Sequence, residues 1–566
     1  MTNAENNSQV WAVIGPPGTG KTTWLASEAR ALVEWSNKRY GGMLKTPVML
    51  CSLTRAAAAE IAGRDLPLPL EAVGTLHAHA FRALGNPRLV ETNLKDFNES
   101  QTEFTITTTN RKNTDDPDWE TTGIGLGDQA MAAYHVLRAR MVHPDTWPIT
   151  VKHFAKIYNE WKADAGLLDF TDLIEQAWRD VDTAPGAPLV MLADECQDNS
   201  ALEFSLLKKW GQAAGKLIVV GDPFQALYCW RGAHPEVFMD DTIPNTHRKV
   251  LGQSYRVPRA VHRASLQWIK GLSTYKPIEY KPRDYDGVVT TCDANWKAPE
   301  IAVNLAEKYL DQGKSVMIMA SCSFLMVPTV EVIRKRGLPF SNPWRTRRGD
   351  WNPLSRGRGI TMTQRILEYL RLDKRTYGDD YRLWTPEELF HWVDVLNSRG
   401  LFQRGSKTIL ENMAKQKEQQ AMTGEELRDM FEAPPFREML ELFQKREQDD
   451  KIPLDEVLAW WENRVRDKKK RTAAYPLRVI RKHGVDEVKK APKLFVGTIH
   501  SFKGSQADCV FVYPDLSPSG YREWSCFGTS RDSVVRMFYV GLTRARETVV
   551  VCNPLTSRSV NLRMVV

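Results

Sequence analysis

The sequence has no C-x-x-C pair among its eight cysteines, which fall at positions 51, 196, 229, 292, 322, 509, 526 and 552. That spacing argues against a zinc ribbon or an iron–sulfur centre. No stretch is apolar for the ~18 residues needed to cross a bilayer. Met1–Gln9 lacks a basic region, so neither a signal peptide nor a membrane anchor is expected. Without a secretory leader, the cysteines read as reduced thiols of an intracellular, cytoplasmic protein. No internal period of roughly 20–50 residues recurs, so a solenoid is excluded.

What is present describes a folded chain of several domains. Its 566 residues exceed what one hydrophobic core organises, and roughly two to five domains are expected. Apolar residues make up 42% and charged residues 26%, the balance of a globular protein rather than a disordered one. A net charge of +8 favours a polyanionic partner, and 18 tryptophans must serve packing or stacking.

Short apolar runs punctuate the chain: Val10–Ile14, Val48–Leu53, Leu189–Ala193 and Leu217–Val220, then Val316–Ala320, Leu494–Thr498, Cys509–Tyr513 and Thr548–Cys552. Such runs between helical stretches predict buried parallel strands, and their clustering predicts two α/β cores. Two segments differ in character. Residues from about 87 to 168 start polar (Glu99–Glu120) and turn helical around Ala130–Arg140 and Val151–Trp161. Residues from about 343 to 490 are mostly helical, with clear patterns at Glu387–Leu396 and Phe436–Gln444. Both read as insertions into the α/β cores.

Gly15-Pro16-Pro17-Gly18-Thr19-Gly20-Lys21-Thr22 fits G-x-x-x-x-G-K-[ST] between a strand and a helix predicted over Thr22–Glu34. In such a loop Gly15, Gly18, Thr19, Gly20 and Thr23 line a nucleotide whose phosphates meet backbone N–H groups and a helix N-terminus. Lys21 reaches the β- and γ-phosphates of ATP, and Thr22 ligates Mg²⁺. The strand Leu189–Ala193 ends in Asp194-Glu195. Asp194 is expected to hold Mg²⁺ through water, and Glu195 to polarise the attacking water. An isolated Asp-Glu is usually a solvated pair; behind a buried strand in a chain with a P-loop, the odds reverse. Leu217–Val220 leads to Gly221-Asp222-Pro223-Phe224-Gln225, where Gln225 is placed to sense the γ-phosphate, although Gly-Asp-Pro alone is simply a turn.

The order of these segments resembles the UvrD/Rep-like DNA helicases of superfamily 1. Beyond the P-loop, the resemblance rests on Ser52–Glu60, Val73–His77, Asp169–Ile174, DECQDNS at 194–200 and GDPFQALYCWRGA at 221–233. It continues through Ser254-Tyr255-Arg256, Val496–Gly504 and Tyr539–Arg546. The resemblance implies two RecA-like P-loop NTPase lobes, each interrupted by a largely helical accessory domain. Lobe 1 would be 1–86 and 169–280, interrupted by 87–168; lobe 2 would be 281–342 and 491–566, interrupted by 343–490. It also implies that Tyr255 stacks on adenine and Arg256 contacts the γ-phosphate. Gly504 and Gln506 would touch the nucleotide, and Arg544 would be the arginine finger. Three departures stand out. No Gln-containing stretch precedes the P-loop at the usual distance, Gln506 stands where the family has Glu, and Leu53 and Arg55-Ala56 replace an aromatic and an Asn-Lys.

Single strands are held by basic grooves and by aromatic rings stacked on bases. Trp230 is the leading stacking candidate, against the reading of a core Trp beside a buried strand. Thr75, His77 and His500 are candidate phosphate contacts. The stretch Trp344–Trp351, with Arg347 and continuing to Arg356 and Arg358, interleaves aromatics with arginines; a solvated basic surface is the competing reading. Lys468–Arg471 reads as a charged helix surface. The functional expectation is an ATP-dependent helicase moving 3′ to 5′ on single-stranded DNA and acting at single-strand/duplex junctions, the polarity coming wholly from the resemblance. The alternatives are a translocase that unwinds only with a loading or repair partner and a nucleotide-dependent regulatory switch; RNA is a further possible substrate.

Overall fold

The computed structural model describes residues 9–52, 63, 66–90, 94–107, 125–233, 235–236, 240, 242–345, 351–354, 359–371, 384–416, 420–445 and 452–566. It divides into two compact units. The first comprises Met1–Asn295, Met319–Leu325 and Thr498–Val566; the second comprises Trp296–Ile318 and Met326–Gly497.

The first unit is built on a six-stranded sheet. Its strands are β1 (Val10–Ile14), β2 (Val48–Ser52), β3 (Val73–Thr75), β4 (Val190–Ala193), β5 (Leu217–Gly221) and β6 (Arg248–Val250), in the spatial order β3-β2-β4-β5-β1-β6. All neighbours run parallel, with Val10 opposite Leu217 and Met191 also opposite Leu217. Side chains alternate across the sheet, so both faces are buried. Val13, Val48, Leu50, Val190, Leu192, Ile218 and Val220 pack with Leu25, Ala29 and Val33 of helix α1 (Lys21–Tyr40). Ala12, Ile14, Met49, Cys51, Met191, Ala193 and Val219 face the other way.

That second face is covered by α2 (Leu76–Ala83) and by two helices that follow an insertion. The insertion contains α3 (Leu94–Ser100), α4 (Leu126–Ala139) and α5 (Ile149–Ala165), which bury Phe97, Phe104, Tyr134, Phe154 and Tyr158 together. Buried charges tie it to the start of α6 (Phe170–Asp180). Lys162 Nζ lies 2.6 Å from Asp169 and 2.5 Å from Asp172, and Arg138 lies 2.7 Å from Asp172. Asp169 and Asp172 also form a capping box that starts α6. Helix α7 (Ala201–Ala214) opens the same way, with Ser200 and Glu203.

The same unit continues through β7 (Gln253–Pro258), α8 (Arg259–Ile269), β8 (Lys281–Arg283) and β9 (Val288–Cys292). Its C-terminal part adds β10 (Ala507–Val512), α9 (Pro518–Ser525), α10 (Thr529–Leu542) and β11 (Ala545–Cys552). Strand β11 lies parallel between β10 and β9.

The second unit is mostly helical. Helices over Met362–Tyr369, Pro386–Val393, Ala433–Gln444 and Leu454–Arg464 bury Tyr369, Trp392, Phe436, Phe443 and Trp461. Its Phe340–Ser341 strand pairs in parallel with Leu494–Thr498. Among the described residues of both units, no helix is long and apolar enough to cross a membrane.

The apolar runs read from sequence are all strands, with ends moved by up to three residues. Helix α1 runs on to Tyr40 rather than Glu34, because Val33 and Ser36 keep its buried face going until Gly41 turns left-handed. Strands β3 and β6 gave no sequence signal: each has three residues, none of them buried, so neither carries an apolar run.

Candidate nucleotide site and nucleic-acid face

The segments singled out in the first sheet all leave its carboxyl edge, where parallel α/β sheets place ligands. The P-loop follows β1, Asp194 follows β4, and Asp222 follows β5. Gly15 N donates to Gly221 O at 2.9 Å, joining two of these loops. Gly18 and Gly20 have φ of +75° and +80°. A Cβ on Gly18 would meet Arg256 Cβ at 2.4 Å, so the close approach there requires glycine.

The loop is fastened from behind. Ser254 Oγ and Tyr280 Oη donate to Pro17 O at 2.9 and 3.0 Å, and Tyr255 N donates to Gly18 O at 2.8 Å. Thr19 Oγ1 donates to Pro16 O, and Lys21 Nζ donates to Gly15 O at 2.7 Å. Thr22 and Thr23 lie in the first turn of α1, which contains no acidic residue to offset its positive dipole end.

Asp194 is 4% exposed and accepts Glu195 N at 2.9 Å. Burial, and then the neighbouring Glu195 carboxylate, push Asp194 up to about 7. Burial alone would also raise Glu195, but the Lys503 ammonium, with help from Lys21, outweighs it and holds the group at about 2. Lys503 Nζ lies 3.1 Å from Glu195 Oε2 and also pairs with Asp198. Glu195 adopts φ +53°, a left-handed conformation that a non-glycine residue takes at a cost.

A hydrogen-bond relay leads away from Glu195. Gln197 Nε2 donates to Glu195 Oε2 at 2.6 Å, and Asp222 N donates to Gln197 Oε1 at 3.1 Å. Gln225 Nε2 donates to Asp222 Oδ2 at 2.7 Å, and Arg544 Nη2 donates to Gln225 Oε1 at 2.8 Å. Arg544 is 1% exposed, and its Nε and Nη1 donate to the carbonyls of Val540 and Ser505. Burial, and then Arg256 nearby, lower it to about 9. Arg256 Nε donates to Gln506 Oε1 at 2.9 Å, and burial lowers its pKa also.

Lys21, Arg256 and Arg544 thus bond neutral acceptors, and none forms an ion pair among the described residues. Three cations beside a glycine loop, without carboxylate partners, suit a polyphosphate. The Thr22 hydroxyl and the Asp194 carboxylate are hard oxygen donors that fit Mg²⁺, which takes few protein ligands when phosphates supply the rest. Tyr255 presents a ring that is 73% exposed, and Gly504 and Gln506 are exposed on the turn before β10.

Several candidate nucleic-acid residues lie in the same unit. Thr75 Oγ1 accepts Ala78 N at 3.1 Å and so caps α2. His77 is partly exposed, edge-on to Phe170 and 3.7 Å from Glu203. Trp230 is half-buried on a turn, with the Arg231 guanidinium 4.9 Å from its ring centroid. Its indole N–H is buried with no acceptor among the described residues. His500 is buried, its ring tilted against Tyr228 at 6.5 Å. In the second unit, Lys468–Arg471 are exposed in the first turns of the helix Asp467–His483. The Trp344 side chain, Arg347, Arg356, Arg358 and 53–60 lie outside the described residues.

The profile described as UvrD/REP helicase N-terminal domain matches residues 2–243, and that described as UvrD-like helicase C-terminal domain matches 493–552. Together they cover just over half the chain. The chain belongs to the UvrD/Rep-like helicase family.

An ATP-dependent DNA helicase PcrA of Leuconostoc citreum is 27% identical over 290 residues, 45% of this chain and 38% of the relative. DNA helicase II of Escherichia coli (strain K12) is 25% identical over 274 residues, 43% and 36% of the two chains. A probable DNA helicase II homolog of Mycoplasma capricolum is 34% identical over 137 residues, 21% and 18%. The chain therefore matches well under two thirds of the length of these relatives.

Within this UvrD/Rep-like site, sequence reasoning passed over Lys503, Asp198, Asp222 and the Ser254–Tyr280 clamp. Lys503 stands before Gly504 in a segment already singled out, so a cation facing the acidic pair could have been sought there. Tyr280 had no signal, since its bond to Pro17 joins residues far apart in sequence.

Proposed function

We propose that this chain is a DNA-dependent ATPase that couples ATP hydrolysis to 3′ to 5′ movement on single-stranded DNA and to duplex unwinding. The reading includes two RecA-like lobes, each interrupted by a helical accessory domain. The observation that carries it is the continuous relay from Glu195 through Gln197, Asp222 and Gln225 to Arg544, set beside the P-loop. A module that only binds nucleotide needs neither a base near the attacking water nor a guanidinium at the γ-phosphate.

In this reading Lys21 and Arg256 bind the phosphates, and Thr22 and Asp194 would hold Mg²⁺. Held there, Mg²⁺ would offset the charge of the phosphates. Glu195 orients water and takes its proton, and Arg544 stabilises charge developing on the transferred phosphoryl group. Gln225, bonded to Arg544, reports the γ-phosphate to the Trp230 turn, where a base would stack. Tyr255 offers its exposed ring to the adenine, and Gln506 offers a neutral amide to the ribose.

The direct test uses a duplex with a 3′ or a 5′ single-stranded tail, with translocation along unpaired DNA measured in parallel. Displacement from the 3′-tailed substrate alone supports the full reading. Translocation without displacement removes autonomous unwinding, and movement toward the 3′ end overturns the polarity.

A further inference from the structure

Lys503 occupies a position that the hydrolytic chemistry does not call for. Its side chain is 12% exposed, and its buried ammonium lies between two carboxylates that serve different parts of the molecule. One is Glu195, at 3.1 Å. The other is Asp198, whose Oδ2 pairs with Lys503 while its Oδ1 accepts Leu227 N at 3.0 Å and Tyr228 N at 3.4 Å. Those amides begin the turn that carries Trp230. The ammonium also lies 5.6 Å from the Tyr228 ring centroid. A single cation thus joins Glu195, the proposed hydrolytic base, to the carboxylate that holds the Trp230 turn.

Two physical consequences follow. Glu195 Oε2 is already engaged by Lys503 at 3.1 Å and by Gln197 at 2.6 Å, so Glu195 cannot turn that oxygen to a water and is restrained while Lys503 sits against it. Asp198, buried at 4% exposure, depends on the same ammonium for its charge balance, so the turn it holds depends on Lys503 as well. Moving the turn would shift Asp198, and with it the cation that restrains Glu195.

We propose that Lys503 is a positioning residue that holds Glu195 in check until nucleic acid engages the Trp230 turn. This rests on the reading of Glu195 as the hydrolytic base. Binding of single-stranded DNA at the turn displaces Asp198 and Lys503 together, and Glu195 becomes free to act on water. The stimulation of hydrolysis by DNA then comes from releasing an existing restraint.

The test compares the full-length wild type with Lys503→Met, Lys503→Arg and Asp198→Asn. ATP turnover is measured with and without single-stranded DNA, and amide hydrogen exchange is measured over residues 226–232 without nucleotide. Lys503→Met should raise turnover without DNA about tenfold and bring the ratio of stimulated to basal turnover close to one. Lys503→Arg, which keeps the charge, should restore a DNA-dependent ratio. Exchange over 226–232 should quicken in Lys503→Met and in Asp198→Asn. The proposal is overturned if Lys503→Met keeps the wild-type ratio, or loses turnover equally with and without DNA. If Lys503→Met does not fold, Asp198→Asn decides: unchanged exchange and an unchanged ratio overturn the proposal. A wild type without turnover in either condition sinks the ATPase reading instead, and the exchange measurement still decides whether Lys503 and Asp198 hold the turn.

Discussion

Arg544 keeps its charge where burial opposes it, at 1% exposure and with neutral acceptors among the described residues. Such a guanidinium gains most when an anion arrives, so its contribution should appear in the rate and hardly in nucleotide affinity. Arg544→Ala should lower DNA-stimulated kcat by about 10³–10⁵, the range of arginine fingers in related phosphoryl transfers. Lys at this position should rescue poorly, because it keeps the charge but loses the planar fork that reaches Gln225 and Val540 together. Measuring kcat and ATP-analogue affinity for the folded variants checks this, and near wild-type kcat would reject the finger. The arginine itself was legible in the sequence through the segment around it. Its bond to Gln225 was not, because it links residues more than 300 positions apart, which no local spacing encodes.

At the scale of elements, one buried histidine joins α2 to β2. His79, on α2, is 0% exposed. Its Nε2 lies 3.3 Å from Leu50 O on β2, and its Nδ1 lies 2.8 Å from Arg82 Nη2. These partners fix the neutral tautomer, with Nε2–H donating to the carbonyl and Nδ1 accepting from the guanidinium. Burial, then Arg82, lowers His79 from 6.5 to about 4. Below the unfolded value of 6.5 the unfolded chain takes up a proton that the folded chain refuses until about 4. Stability from this group is therefore complete above that window and is lost as pH falls through it, by on the order of 3 kcal/mol. His79→Gln, which can still donate to Leu50 O, should lose less melting temperature than wild type between about pH 7 and pH 4.5. Parallel curves for the two proteins would contradict this. The apolar strands around His79 could be read from sequence because both faces of each are buried. Strand β3, with no buried residue, could not.

For the whole molecule, the proposed function requires that the elements gathered in the first unit couple their chemistry to nucleic acid. The chain's family, its P-loop and its alternating strands were legible because each depends on local spacing. The helical character of the stretches around 130–161 and 387–444 was legible, but their internal packing rests on contacts between distant aromatics such as Tyr369 and Trp460. The decisive measurement is steady-state ATP turnover of the full chain with Mg²⁺, alone and with saturating single-stranded DNA, at low and at raised salt. The account predicts weak turnover alone, strong stimulation by DNA, and a DNA requirement that rises with salt as phosphate contacts release counterions. Equal turnover with and without DNA at saturating ATP would contradict it.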